Sequence, residues 1–525
     1  MLSPRVNPNL PPNFYELGEY DFQDMCCDVF SVQHEIATCD VYGTRGLAST
    51  ASGLLKQEDV HPISLLQAAR CLLSENPTLA RQLWQRAVTA PIEAEILGEV
   101  ITLGYNLGLD REMQPFVHRA RVLAINGEGP FQAVRIRELL ELQQEWAENA
   151  ALINQKYDNA ELPIHLIAQT RRFALTNIFR VLPRANTNNP NPHCQAAVLA
   201  RYGARPFPEG FADSSTQWQL HLDISAFLLA AHLGILDAVE QQFRPIRISP
   251  TLPTALLQEC ERFLLHQPSR LNSYREILRL NQSGQLRELP QPLNRNCDEL
   301  IEKLGEQLAI LLEQARAENG FVVEFLPLEQ LDANGVMQPV VLDETDQQRF
   351  ISCRGLVEAL KEQGVLSNSA YETALNNLGD QRYADFPPKL PTRNDLIVLN
   401  SELAVLLAGS DLLVRVCLYF RVFVTHQCVG EAQVAINGSE YSAESVRWLR
   451  ELIQRVSTGL ERGTYEAIAL PNADSDRELE LQQSSSANEL TAYHLFTYTP
   501  QPGDVIWIDD RFFSKYPHRD GCCLF

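Results

Sequence analysis

The chain has 525 residues, 45% hydrophobic and 21% charged, and 44 basic against 66 acidic residues give it a formal net charge of -22. Length and composition suit several globular domains with sizeable cores, while the acidic balance opposes delocalised binding to a phosphate backbone or an anionic membrane, so any nucleic-acid contact has to be local. The opening residues do not read as a signal peptide, no apolar run suits a membrane span, and the 12 cysteines form no CxxC pair of metal-finger spacing, which together predict a cytoplasmic protein with reduced, mainly buried thiols.

Residues 1–60 are Pro- and Asn-rich at first and carry no strong period, which predicts an irregular N-terminal segment. Over 61–160 apolar residues recur at three- and four-residue spacing in LLQAARCLL, LARQLWQRAV, IEAEILGEVITLGYNLGL and VRIRELLELQQEWAENAALINQKY, punctuated by Asn76-Pro77, Ala90-Pro91 and Gly108. This predicts a helical hairpin scaffold, a surface suited to a protein partner. Its cadence resembles tetratricopeptide hairpins, although no fixed period with that family's Trp, Gly and Tyr positions fits.

Residues 161–217 differ in composition. Between Glu161 and Glu209 there is no Asp or Glu, while Arg171, Arg172, Arg180, Arg184, Arg201 and Arg205 lie inside, with His165 and His193. LPIHLIAQTRRFALTNIFR has the cadence of a small helix-turn-helix, and ANTNNPNP after it reads as loop. Two readings stay open: an arginine patch that contacts RNA phosphates, or arginines paired with acidic neighbours.

Leu220–Ser249 and Leu396–Thr425 echo one another by the offset from Asp223 to Asn400: an apolar segment ending on Asp223 or Asn400, an apolar helical run, a Phe-Arg pair (Phe243-Arg244, Phe420-Arg421) and an alternating segment. Strand, helix, strand is the expected reading of each. Unit one is placed at 218–330, closing on the strand Gly320–Leu326. A helical connector follows at 331–394, in which the acidic run Asp343, Glu344, Asp346 reads as a solvated loop. Unit two is placed at 395–525 and reads as truncated, or as the end of a piece of a longer reading frame. Its last strand, Gly503–Ile508, leads into Asp509-Asp510-Arg511. The final Cys522-Cys523-Leu524-Phe525 formally fits a prenylation box, or arises by chance.

Acids at the carboxyl ends of parallel strands gather where α/β sheets place ligands, and clustered carboxylates suit Mg²⁺ or Mn²⁺. Asp509-Asp510 after GDVIWI is the sharpest such signal; an acidic loop after an edge strand is the plainer reading. Asp223 reads either as a helix N-cap or as a catalytic acid. No P-loop, GxSxG or HExxH occurs.

A strand-end acid, an apolar helix, a Phe and a second strand, then a glycine-preceded strand with an acidic pair (GDVIWIDDR), resemble PIN domains, including the divergent copies attached to large bacterial helical-repeat proteins. The resemblance implies an α/β plus all-α architecture: two PIN-like three-layer units, each with a central parallel sheet, after a helical region. It further implies metal-dependent ribonuclease chemistry in which Asp509, Asp510 and Glu431 hold Mg or Mn and Asp223 is the first acid of unit one, with Glu259 as the other candidate middle acid. By that alignment unit one has Asp223 but Leu326-Pro327 at the late positions, and unit two has the late pair but Asn400 first. Two functions stay open: a degenerate scaffold that binds protein or RNA, or an endoribonuclease active in unit two.

Overall fold

The computed structural model describes residues 52–180, 218–289, 298–378, 390–469 and 486–524, apart from short interruptions within those spans. Helices come first: α1 (Pro62–Leu72), α2 (Pro77–Ala87), α3 (Leu97–Asn106), α4 (Asp110–Asn126) and α5 (Ile136–Asp158). Proline in the first turn starts α1 and α2 at no hydrogen-bond cost, and the Asn76 side chain accepts from the Leu79 N–H at 3.1 Å. Leu66, Leu83, Leu97 and Val100 are fully buried between these helices, and Trp84 satisfies its indole by donating to the Val100 carbonyl at 3.0 Å. The short helices α6 (Ile164–Arg171) and α7 (Leu175–Arg180) follow.

The remaining chain builds two parallel sheets. In order come β1 (Gln219–Leu222), α8 (Ile224–His232), α9 (Leu236–Phe243), β2 (Ile246–Ile248), α10 (Leu252–Glu261), α11 (Pro268–Gln282), β3 (Leu286–Glu288), α12 (Asp298–Leu304), α13 (Glu306–Ala317) and β4 (Phe321–Val323). A hairpin of β5 (Glu329–Leu331) and β6 (Met337–Pro339), then α14 (Glu344–Gln347), β7 (Phe350–Ile351), α15 (Cys353–Glu362) and α16 (Asn368–Asn377), lead to β8 (Leu396–Leu399), α17 (Ser401–Gly409), α18 (Leu413–Tyr419) and β9 (Arg421–Val424). The 36-residue α19 (His426–Glu461), β10 (Tyr465–Ala467), α20 (Ala487–Thr497), β11 (Asp504–Trp507), β12 (His518–Arg519) and β13 (Cys522–Leu524) complete the chain.

The first sheet has the order β10-β2-β1-β11-β13-β12, parallel except for β12, and the second has the order β3-β9-β8-β4-β7, parallel throughout. The central strands β1, β11, β8 and β4 are short and buried on both faces because helices cover both. In β8, Ile397 and Leu399 join one core while Leu396 and Val398 join the other. Gly320 admits β4 against β8: a Cβ there would lie 2.7 Å from the Leu396 Cβ.

This pairing corrects the sequential units expected at 218–330 and 395–525. β1 pairs with β11, Gln219 opposite Asp504, and β4 pairs with β8, Val322 opposite Val398. The second sheet is therefore complete within 286–424, and it interrupts the first, whose strands come from 219–248 and 465–524. Two crossings link them. The chain leaves the first core with α10 (Ala255, Leu256) and enters the second with α11 (Ile277, Leu280). It returns along α19, whose Cys428 and Ala432 lie in the second core and whose Leu449, Leu452 and Val456 lie in the first.

The Asp223-to-Asn400 echo has a structural counterpart, with two helices rather than one between the strands. The breaks fall at Gly234 (φ 69) and Asp411 (φ 58), both left-handed. The acidic run around Asp343 is a helix start, in which Asp343 caps α14 and Asp346, only 4% exposed, pairs with Arg316. β13 runs through Cys522, and its Cys523 and Leu524 pair with Val505 and Ile506, so the first three residues of the prenylation box lie in a sheet strand, Phe525 being outside the described residues.

A fragment of residues 267–440 contains a whole sheet and is expected to melt cooperatively by circular dichroism. A fragment of 218–330 contains parts of two sheets and is expected to show no cooperative transition; a two-state melt from the latter would sink the interleaved topology.

Candidate functional site

The pairing of β1 with β11 brings Asp223 and Asp509-Asp510 to one carboxyl edge, although they were expected in different units. Asp223 is the N-cap of α8: its Oδ1 accepts from the Ala226 N–H at 2.9 Å. The Ser225 hydroxyl donates to both Asp223 oxygens, at 2.8 and 2.9 Å, and accepts from the Asp509 N–H at 3.0 Å. One hydroxyl thus ties the end of β1 to the end of β11.

The acidic pair divides its work. Asp510, 2% exposed, accepts from the Phe512 and Phe513 N–H groups at 2.7 and 3.1 Å through Oδ1, and from the Ile164 N–H through Oδ2. It sits at the N-terminus of α6, where the peptide dipoles favour a negative charge. Burial pushes its pKa up, against His165 and the backbone donors. Asp509 has no such support: its Oδ2 is buried without a partner among the described residues, and burial, with Asp223 and Asp510 adding repulsion, raises its pKa to about 7.

His165, in the first turn of α6 and 3% exposed, completes the cluster. Its Nε2 lies 3.0 Å from Asp223 Oδ2. Burial works against charge on the ring, but the hydrogen bond and charge of Asp223, with Asp510 and Glu489 adding, outweigh it, and the imidazole pKa lies above its usual value. A fourth acid is engaged by α7: Glu259, fully buried, accepts from the Thr176 N–H at 3.3 Å, the Thr176 hydroxyl at 3.4 Å and Asn488 Nδ2 at 2.8 Å, while burial raises its pKa. His221, two residues before Asp223, belongs elsewhere, with Nε2 3.1 Å from Asp504 Oδ1.

Glu431 corrects a second expectation. It stands near the start of α19, hydrogen-bonded to Gln427 at 2.7 Å and electrostatically coupled to Tyr274 and Cys428, whose thiol is in the second core. It does not join Asp509 and Asp510. Of the two middle acids considered, Glu259 is the one on the first sheet's side.

The carboxylates do not fit a divalent cation as arranged. Both oxygens of Asp223 and of Asp510 already accept protein donors, while Asp509 Oδ2 is buried without a partner among the described residues. Among the described residues no group of three or more His, Cys, Asp or Glu could hold a metal ion.

The matching edge of the second sheet is built differently. Asn400 caps α17, its Oδ1 accepting from the Leu403 N–H at 2.8 Å, and its Nδ2 donates to Glu324 Oε2 at 2.8 Å. Glu324 follows β4, so the strand-end acid here is Glu324 and not the Leu326-Pro327 position. Burial raises its pKa to about 7, with Glu402 adding repulsion. Asparagine serves both neighbours because it presents an acceptor to the helix and a donor to the acid.

Of the arginine patch, Arg171 and Arg180 fall in α6 and α7, their side chains outside what is described, and Arg172, Arg184, Arg201 and Arg205 lie outside the described residues. Among the described residues no helix is long and apolar enough to cross a membrane.

A family model described as HTH_upstream_double_PIN matches residues 136–205, the stretch that contains α5, α6 and α7 and ends shortly before β1. The match associates the chain with PIN domains. No curated protein and no solved structure matches the chain.

The acidic pair should split on mutation. Asp509 is easier to fold protonated, so its ionisation costs nothing below about pH 4 and its full penalty above pH 7; Asp509→Asn is expected to stabilise by about 1–3 kcal/mol at pH 8 and to be neutral at pH 4. Asp510→Asn turns an amide NH₂ or a lone acceptor toward three N–H groups and is expected to destabilise by about 1–3 kcal/mol. Urea titrations give both signs, and stabilisation by Asp510→Asn would contradict its assigned role. In the second sheet, Asn400→Asp is expected to cost about 1–3 kcal/mol at pH 8, where it faces an ionised Glu324, and less at pH 5, where Glu324, titrating near 7, carries the proton. An equal cost at both pH values would remove the carboxylate conflict as its cause.

Proposed function

We propose that the chain is a PIN-like protein whose two nuclease-type sites are degenerate and which acts as a scaffold for a protein or RNA partner. One observation carries the reading: the strand-end acids of the first sheet are engaged by the chain's own His165 and backbone N–H groups, where a hydrolytic metal site needs free carboxylate oxygens. Two further observations support it. The second sheet repeats the five-strand parallel order β3-β9-β8-β4-β7 seen across β10-β2-β1-β11-β13, but has Asn400 where the first has Asp223. The segment just upstream carries the helix-turn-helix match associated with double PIN proteins. In this reading RNA would bind through the acid-free stretch at 162–208, and a protein partner through the helices of 61–160.

The alternative is a Mg- or Mn-dependent endoribonuclease. What favours it is that Asp223, Asp509 and Asp510 share one sheet edge and Asp509 keeps an unpartnered oxygen. The site would then draw on both ends of the interrupted sheet and would not use Glu431.

Mn²⁺-dependent cleavage of a labelled RNA pool distinguishes the two. Wild type and Asp509→Asn/Asp510→Asn are expected to show the same background; cleavage by the wild type that the double variant loses would overturn the scaffold reading.

A further inference from the structure

The two sheets use the same strand neighbours in the same register. β3 meets β9 with Leu286 opposite Val422, as β10 meets β2 with Tyr465 opposite Ile246. β4 meets β8 with Phe321 opposite Ile397, as β11 meets β1 with Val505 opposite Leu220. β7 lies outside β4 as β13 lies outside β11. Chain order turns this likeness into a reciprocal exchange. The stretch with β1 and β2 is followed by β3, β4 and β7, all of which join β8 and β9. The stretch with β8 and β9 is followed by β10, β11 and β13, all of which join β1 and β2. Each first half thus has a matching second half directly after it in the chain, and pairs with the other one.

Backbone register is the same for direct and exchanged partners, so the side chains have to choose. The choosing face carries Leu495 of α20 in the first sheet and Leu311 and Leu312 of α13 in the second. In the first sheet it is polar where the halves meet. His221 of β1 and Asp504 of β11, 0% and 3% exposed, stand 3.1 Å apart from Nε2 to Oδ1. Arg247 of β2 donates to the Tyr498 hydroxyl at 2.8 Å and lies 3.4 Å from Asp504 Oδ1, while that hydroxyl donates to Asp504 Oδ2 at 2.9 Å. By register, the second sheet has Val398 for His221, Phe423 for Arg247, and Gly320 for Asp504, each of the last two directly preceding a matched strand residue. Val398 and Phe423 pack in the same core as Leu311 and Leu312. Direct pairing would therefore put His221 and Arg247 under the leucines of α13 without their acid, and Asp504 against Val398 and Phe423 without its cations. A buried charge deprived of its partner is strongly unfavourable. The strand ends agree: Asn400 gives an amide proton to Glu324 at 2.8 Å, where direct pairing would set Asp223, whose ionised carboxylate has none to give.

We propose that the chain is two sequential units that have exchanged their second halves, and that His221 and Arg247 with Asp504, and Asn400 with Glu324, select this pairing over the direct one. The selection concerns strand partners and holds whether or not either edge is catalytic. It also sets the acid content of each edge, because only the exchanged pairing brings Asp223 beside Asp509 and Asp510. Residues 218–330 alone offer β1 and β4 only the direct pairing, in keeping with the absence of a cooperative melt expected for that fragment.

A cut between the units reads the pairing. The full-length reference protein carries a protease recognition sequence in place of 380–388 and p-benzoylphenylalanine in place of Trp507, whose register partner is Leu222. After illumination, cleavage and a denaturing gel, exchanged pairing leaves the two pieces covalently joined. Direct pairing would set position 507 beside Leu399, on its own side of the cut. The reference protein is expected to give joined pieces. In that background, His221→Val/Arg247→Phe/Val398→His/Phe423→Arg moves the partners of Asp504 into the second unit. It is expected to cut the joined fraction by about tenfold or more, with crosslinked peptides now containing Leu399. His221→Val/Arg247→Phe/Asp504→Gly copies the second sheet's residues into the first and is expected to cut the fraction by about twofold or more. Circular dichroism melts show which variants fold. Unjoined pieces in the reference protein overturn the exchange itself. A folded four-site variant joined as fully as the reference overturns the selection, and if that variant does not fold, the same result in the three-site variant overturns it. If neither folds, the direct arrangement is closed to this chain and the proposal fails.

Discussion

The parallel pairing of β1 with β11 is the constraint on which the candidate site depends. It sets Ser225 beside Asp509, 284 positions away, and the serine hydroxyl uses both its capacities there, as donor to Asp223 and acceptor from Asp509. Without that pairing Asp223 would cap α8 and do nothing else. With it, three strand-end carboxylates crowd one edge, and the fold has to supply positive partners for them. It does so from α6 and the backbone, and leaves Asp509 as the acid whose charge is least compensated.

The two sheet edges answer the same electrostatic problem in opposite ways. At the first, the strand-end residue Asp223 is an acid and is paired with an imidazole from outside the sheet. At the second, Asn400 removes one charge, and the remaining acid, Glu324, takes an amide donor from it and a backbone donor from Phe325 at 2.9 Å. The amide solution needs no external cover. Cys353, buried beside Glu324, is pushed up to about 12, so its thiol stays protonated and adds no third charge.

Local features were legible in the sequence. An acid or amide directly before an apolar helical run is an N-cap pattern, and Asp223 and Asn400 both cap. The helical cadence of 61–160 and the two short helices after Pro163 are read from apolar spacing and hold in the structure. Strand partners were not legible. FVV at β4 is a three-residue apolar strand whose pattern is the same whichever sheet it joins, and adjacency in the chain placed it in unit one with β1 where the fold pairs it with β8 and β7. Glu431 was misplaced for the same reason, since α19 begins in one core and ends in the other. His165 reads as one basic residue in a basic stretch; its acid lies 58 positions away and faces it only in three dimensions. The clearest missed signal was α19 itself, 36 residues without a proline, far longer than a connector between contiguous units needs.

The interruption of one sheet by the other also orders the chain's assembly in time. β1 leaves the ribosome well before β11, and at about 5–20 residues per second its partner follows roughly 15–60 seconds later. The second sheet has all its strands within 286–424 and can close first. The first must wait with β1 and β2 unpaired on the β11 and β10 sides, a long-range closure of the kind that folds slowly and exposes strand edges to other chains. The acid cluster is therefore the last feature to form, and a chain still being made carries Asp223 as an ordinary helix cap.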